Sequence, residues 1–223
     1  MKQERHVLVV FPHPDDEAFG VSGTIAKHVH AGTPVTYICL TLGEMGRNLG
    51  NPPFATRESL PLIRKQELQR SAEALGINDL RMMGFRDKTI EFEDDETLTK
   101  LVEDAVNELS PSLVISFYPG YSVHPDHDAT GRAVVRALKR LPTARRPKLH
   151  CIAFSNNHET KIGAADVIVD VSRFTEQKIN SMRAHHSQTA WMLKDMEPKW
   201  AAGDKEALRW LQEERFWTYP FEG

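Results

Sequence analysis

An α/β fold, with a largely parallel sheet flanked by helices and a helical C-terminal segment, is what three features of the sequence predict. Six short runs are rich in β-branched and aromatic residues, most of them are apolar throughout rather than alternating, and helical patterns lie between most of them. Such alternation with short connections gives right-handed crossovers and a Rossmann-like architecture.

The first run, "HVLVVF" (6–11), reads as a strand covered on both faces. The stretch after it places Phe19, Ile25 and Val29 on one helical face and stops at Gly32, a C-terminal cap; His28 and His30 of this helix are expected at the surface. "PVTYICLTL" (34–42) is the second strand, "LRMMGF" (80–85) the third and "SLVISFY" (112–118) the fourth, with helical patterns over 58–75, 96–109 and 127–140. "LHCIAFS" (149–155) and "DVIVDV" (166–171) complete the set. Cys39 and Cys151 fall inside strand-like runs and are expected as reduced core residues. From about residue 174 the pattern is helical and holds Trp191, Trp200, Trp210 and Trp217, expected to pack a helical layer on the sheet, with a lid or a subunit contact as alternatives. Residues 1–223 are expected to form a single domain.

A composition of 40% apolar and 26% charged residues with a net charge of -3 describes a soluble globular chain. Lys and Arg (28) are outnumbered by Asp and Glu (31) and form no long basic block, so nucleic acid is not an expected partner; "TARRPK" (143–148) reads as a solvated loop. No apolar run approaches the roughly 20 residues that span a bilayer. The apolar core of "MKQERHVLVVFPHPDDE" is too short for a signal peptide. A cytoplasmic protein without a membrane partner is therefore expected.

The chemistry concentrates in two tripeptides, His13-Pro14-Asp15 and His124-Pro125-Asp126, each after an apolar strand and before a helical pattern. Chance would place roughly 0.03 such copies in this composition. Proline forces the preceding histidine into extended geometry, so His13 and His124 leave their strands in a restricted direction. Three residues beyond each histidine stands another candidate ligand, Asp16 and His127. Imidazoles and a carboxylate suit zinc, and a catalytic zinc takes three protein ligands and keeps one position open. His13, Asp16, His124 and His127 are the candidates. If His127 is fixed by the start of its helix, His124 is free to act on substrate and Asp15 or Asp16 supplies a base. Helix capping alone would explain the acidic residues but not three histidines at matched offsets. His185 and His186 in "RAHHSQ" lack such a context and are read as surface or packing residues, and Glu17 as a helix opener.

"PHPDDE" and "HPDH" resemble the two signature motifs of the PIG-L/LmbE family of zinc-dependent N-acetylglucosamine deacetylases. "RKQELQRSAEALGI" (64–77) is similar to that family's Arg-x-x-Glu helix and "KINSMRAHHSQ" (178–188) to its late Lys…His-x-Ser-Gln segment. The resemblance implies one Zn²⁺ per chain, with Fe²⁺ as the alternative, on His13, Asp16 and His127. It makes Asp15 the general base, and His124 the residue that stabilises the oxyanion or protonates the leaving amine. Asp126 becomes the acid that orients a histidine, and Arg64 a substrate contact. The long segment "GEMGRNLGNPPFATRES" and "YPGYSVHPDH" look like the bacillithiol-pathway deacetylases that act on N-acetylglucosaminyl malate. For the malate carboxylates Arg47, Arg57 and Arg64 are candidates, and Tyr121 is a candidate for the oxyanion. The implied partner is a small amino-sugar substrate, and a homo-oligomer is expected. Three competitors are weighed: an amidase or chitin-sugar deacetylase on the same site, a two-metal phosphoesterase, which needs more bridging carboxylates, and a nucleotide-binding module, for which no glycine-rich phosphate motif is present.

Overall fold

In the computed structural model, which describes residues 3–221, the first five of the six predicted strands lie side by side and parallel, and the sixth pairs only antiparallel, with a strand near the C-terminus. They are β1 (Val7–Phe11), β2 (Val35–Thr41), β3 (Asp79–Phe85), β4 (Leu113–Phe117) and β5 (Lys148–Ile152), followed by β6 (Val167–Asp170) and β7 (Glu213–Thr218). The sheet order is β3-β2-β1-β4-β5-β7-β6, with β7 antiparallel to both of its neighbours. Nine helices stand among the described residues: α1 (Asp16–Gly20), α2 (Ser22–His30), α3 (Leu60–Leu75), α4 (Asp95–Leu109), α5 (Pro125–Lys139), α6 (His158–Ile162), α7 (Thr175–Ala184), α8 (His186–Ala201) and α9 (Lys205–Gln212).

The unbroken apolar character of β1 has a simple cause, since all five of its side chains are fully buried. Val7, Val9 and Phe11 join Ile25, Leu68 and Ala72 in one core layer, while Leu8 and Val10 join Leu98, Val102, Val134 and Leu138 in the other. The chain runs outward from β1 through β2 to β3, then returns to place β4 on the other side of β1, with Val7 opposite Leu113. That reversal opens a crevice beyond the carboxyl ends of β1 and β4, where ligands bind in open parallel sheets. Both histidine-proline-aspartate tripeptides follow these two strands. Gly131 of α5 lets the helix approach closely, because a Cβ there would lie 2.5 Å from the Phe117 carbonyl oxygen.

Three expectations need correction. The C-terminal segment is not helical throughout: it ends in β7, which starts at Glu213 directly after α9 and buries Trp217. Trp200 and Trp210 stack on each other, whereas Trp191 is 57% exposed. His28 is buried, while His30 is exposed as expected. The two cysteines are buried and free.

The fold closes at an unusual helix terminus. α2 begins after Val21, whose side chain cannot cap, and the amides of Gly23 and Thr24 donate instead to the two carboxylate oxygens of Glu214 on β7, at 2.9 and 2.7 Å. A carboxylate at a helix N-terminus satisfies orphan amides and the helix dipole together. Its charge is answered by Lys178, whose ammonium lies 3.0 Å away, equally buried.

Candidate active site

His13, Asp16 and His127 converge. His13 Nδ1 lies 3.2 Å from His127 Nε2 and 3.5 Å from Asp16 Oδ2, and His127 Nε2 lies 3.2 Å from Asp16 Oδ1. The other ring nitrogens are committed elsewhere. His127 Nδ1 donates to the Ser122 carbonyl at 3.0 Å, and His13 Nε2 faces Asp126 Oδ2 and Asp87 Oδ1, each at 3.2 Å. In the neutral rings, therefore, two imidazole lone pairs and a carboxylate point at one another with no donor between them. Such an arrangement calls for a positive charge at its centre.

The titration of these groups says the same. Burial works against a charged His13, but the hydrogen bonds it donates to Asp126 and Asp16 hold its pKa well above the usual histidine value. Burial likewise opposes ionisation of Asp16, yet His127 and His13 keep its carboxyl well below the ordinary range. The spacing fits a metal: a tetrahedron with 2.0–2.1 Å bonds has edges of roughly 3.3–3.4 Å. Outer carboxylates on a ligating histidine are the usual support of such a centre, and Asp126, fully buried, still has one oxygen without a hydrogen-bond partner.

His124 and Asp15 flank this cluster. One ring nitrogen of His124 lies within 4.8 Å of ligand nitrogens on His13 and His127. His124 caps α5, its Nδ1 accepting from the Asp126 amide at 3.1 Å, so in the neutral ring Nε2 carries the proton. Burial, then His13 and His127, lower its pKa. Val123 before it sits at φ 60°, a strained left-handed position for a β-branched residue. Asp15 is also left-handed, at φ 96°. Burial pushes its carboxyl up to about 6 against the opposing pull of Arg64.

The other expected substrate residues are distributed unevenly. Arg64, 3% exposed, turns inward: it donates to Asp15 Oδ2 at 3.0 Å, to the Gly43 carbonyl at 2.9 Å and to the Pro14 carbonyl, and so stands behind Asp15. Gly43, at φ 64°, has no room for a Cβ beside that guanidinium. Arg47 is exposed on the segment after β2, and Arg57 donates to the Gly46 carbonyl at 2.7 Å. The Tyr121 ring packs edge-on against Tyr118. A cavity of about 820 Å³ opens against Asp16 and His127, with Phe19, Phe117, Phe154 and Trp210 in its wall.

Three site residues escaped the sequence reading or were misread. Asp87, 4% exposed, braces His13 and accepts from the Met45 amide at 2.8 Å; its place at the carboxyl end of β3 was the available signal. Glu17 is not merely a helix opener, and His185 is neither at the surface nor inert: both are fully buried and bonded to each other at 2.5 Å. Burial disfavours both charges, but each holds its partner ionised, with the Glu17 carboxyl lowered and the His185 imidazole raised.

The profile of the PIG-L family, described as GlcNAc-PI de-N-acetylase, matches residues 8–138. The chain belongs to the PIG-L family. As a PIG-L protein it is a deacetylase, an enzyme that hydrolyses an amide bond, and it shares the family's metal dependence. It is 54% identical over 222 residues, covering 100% of this chain and 98% of the relative, to "Probable N-acetyl-alpha-D-glucosaminyl L-malate deacetylase 2" of Bacillus anthracis. Among solved structures it is similar to the N,N'-diacetylchitobiose deacetylase of Pyrococcus horikoshii, with a TM-score of 0.75, 25% identity, and 98% and 85% of the two chains covered. The 4-carboxy-2-hydroxymuconate hydratase GalB shares the fold at a TM-score of 0.70 and 19% identity, covering 98% of both chains. Membership of the PIG-L family rests on the sequence match, since this fold also carries a hydratase.

Proposed function

We propose that the chain removes the acetyl group from N-acetyl-alpha-D-glucosaminyl L-malate, a step of bacillithiol biosynthesis, with one Zn²⁺ held by His13, Asp16 and His127. The near full-length likeness to the Bacillus anthracis relative supports the substrate. The convergence of two imidazole lone pairs and one carboxylate supports the metal and carries the reading. When bound, zinc lowers the pKa of a water towards about 7 and polarises the acetamide carbonyl.

The remaining work falls to the chain. Asp15, with its carboxyl near 6, accepts the proton of the attacking water. His124 presents Nε2–H to the oxyanion, or passes a proton to the departing amine. Asp126 holds His13 in the tautomer that turns Nδ1 inward. Arg64 fixes Asp15 and the Pro14 carbonyl together. Arg47, exposed beside the crevice, is the proposed partner of a malate carboxylate, and Tyr121 a supporting donor.

The test is acetate release from malate-linked, lipid-linked and oligomeric N-acetylglucosamine by the zinc-loaded protein. Release from the malate-linked sugar is expected. Release from another sugar alone removes the malate assignment and leaves the deacetylase standing. A second reading, an amidase of bacillithiol-type S-conjugates, is favoured by the apolar cavity against Asp16 and His127, far larger than an acetyl group requires. Turnover of such conjugates above that of the acetylated sugar would select it. Among the described residues no helix is long and apolar enough to cross a membrane, which supports a cytoplasmic setting. The continuous sheet order supports one deacetylase domain over 1–223. A homo-oligomer belongs to the same proposal, supported by the exposed Phe54, Leu62 and Trp191; a monomer mass in light scattering would remove it.

A further inference from the structure

Asp15 is the N-cap residue of α1, yet its side chain makes no capping hydrogen bond. An aspartate at that position ordinarily uses its carboxylate on the amides of the first turn. Here the carboxylate is free to meet Arg64 instead, and the backbone bends to a left-handed φ of 96° to allow it. Something must hold a non-glycine residue in that conformation.

Glu17 is placed to do so. Its Oε2 accepts from the Asp15 amide at 3.2 Å and from the Tyr37 hydroxyl at 3.1 Å. Its Oε1 accepts from the Ser71 hydroxyl at 2.6 Å and from His185 Nε2 at 2.5 Å. The four donors come from the loop after β1, from β2, from α3 and from the junction of α7 with α8. Ser71 is tied on to Ser181 at 2.8 Å, so α7 also supports the site from below. The Asp15 amide thus donates back to a side chain at the second position of α1, one residue short of the third position that a capping box uses, and the cap side chain makes no bond in return.

We propose that Glu17, backed by His185, is a positioning residue that clamps the backbone of Asp15 so that the base keeps its carboxylate for the reaction. The requirement is for a carboxylate and for this length. Four donors need acceptor lone pairs on both oxygens, which glutamine lacks because one of its two ends donates. His185 supplies a donor to a group with no access to water. The catalytic reading of Asp15 rests on the proposed deacetylase; the clamp itself rests only on the contacts.

The test uses the full-length, metal-loaded protein with Glu17→Gln. The expected result is one metal per chain retained, KM for the acetylated sugar little changed, and kcat down by about 10²-fold, the usual cost of a misplaced reacting group. A crystal structure of the same variant should show Asp15 returned to negative φ. His185→Leu should lower kcat in the same way, and His185→Gln, which keeps a donor facing Oε1, should recover part of it. A purely structural network would lower the melting temperature and leave kcat unchanged in the folded enzyme, and that result overturns the proposal. So does a Glu17→Gln structure in which Asp15 stays left-handed. If Glu17→Gln does not fold, the His185 pair decides: equal kcat in the two variants overturns the clamp. If the wild-type enzyme releases no acetate, the deacetylase reading fails by itself, and the Asp15 backbone still tests the clamp.

Discussion

Asp15 and Asp126 are both close to the candidate metal centre, and their contacts give them opposite jobs. Asp15 touches Arg64 and stands outside the proposed ligand set, so Asp15→Asn, which suits a left-handed backbone, should keep the metal while kcat falls about 10²–10⁴-fold. Steady-state acetate release beside metal analysis checks both halves. Asp126 grips His13 from behind and accepts the Lys88 amide at 2.7 Å. Asp126→Asn is therefore expected to weaken metal affinity about 10–100-fold, read by competition with a chelator. At this scale the sequence was informative where chemistry is local. The repeated tripeptide pointed to His13, Asp16, His124 and His127 because their spacing lies within a few residues. Glu17 and His185, 168 positions apart, carry no local mark of the bond between them, and only the packing of α7 against α1 and α3 makes it.

The elements show a similar division. Strands β1 to β6 could be read from apolar runs because turns or polar helices bound each of them. β7 could not, since α9 ends at Gln212 and β7 begins at Glu213 with no glycine or proline to separate the two periods. That strand nevertheless brings in Glu214, which caps α2 and faces Lys178. Removing one member of a buried pair leaves a charge uncompensated. Glu214→Gln should therefore cost about 3–5 kcal/mol, measured as a lower urea midpoint at unchanged slope. Adding Lys178→Met to it should restore part of the loss, because neither charge is then left alone.

For the whole molecule, the decisive fact is that β1 and β4 are neighbours although more than a hundred residues separate them. An alternating strand–helix pattern implies crossovers but not which strand returns beside β1, so the meeting of the two tripeptides was an inference from chemistry until the sheet order supplied it. A metal held by His13, Asp16 and His127 would join two loops that the backbone leaves independent. Chelation should accordingly lower the melting temperature, since a ligand at about 100 times its Kd contributes about 2.7 kcal/mol to the folded state. Thermal melts with and without chelator measure it, and an unchanged melting temperature would count against the site. One connection reaches further. Met45, on the segment that carries Arg47, holds Asp87 through its amide, and Asp87 holds His13. The rate at which the protein surrenders its ion would then be a gauge of that segment's position, and a substrate that draws Arg47 inward should register as slower metal exchange before any bond is broken.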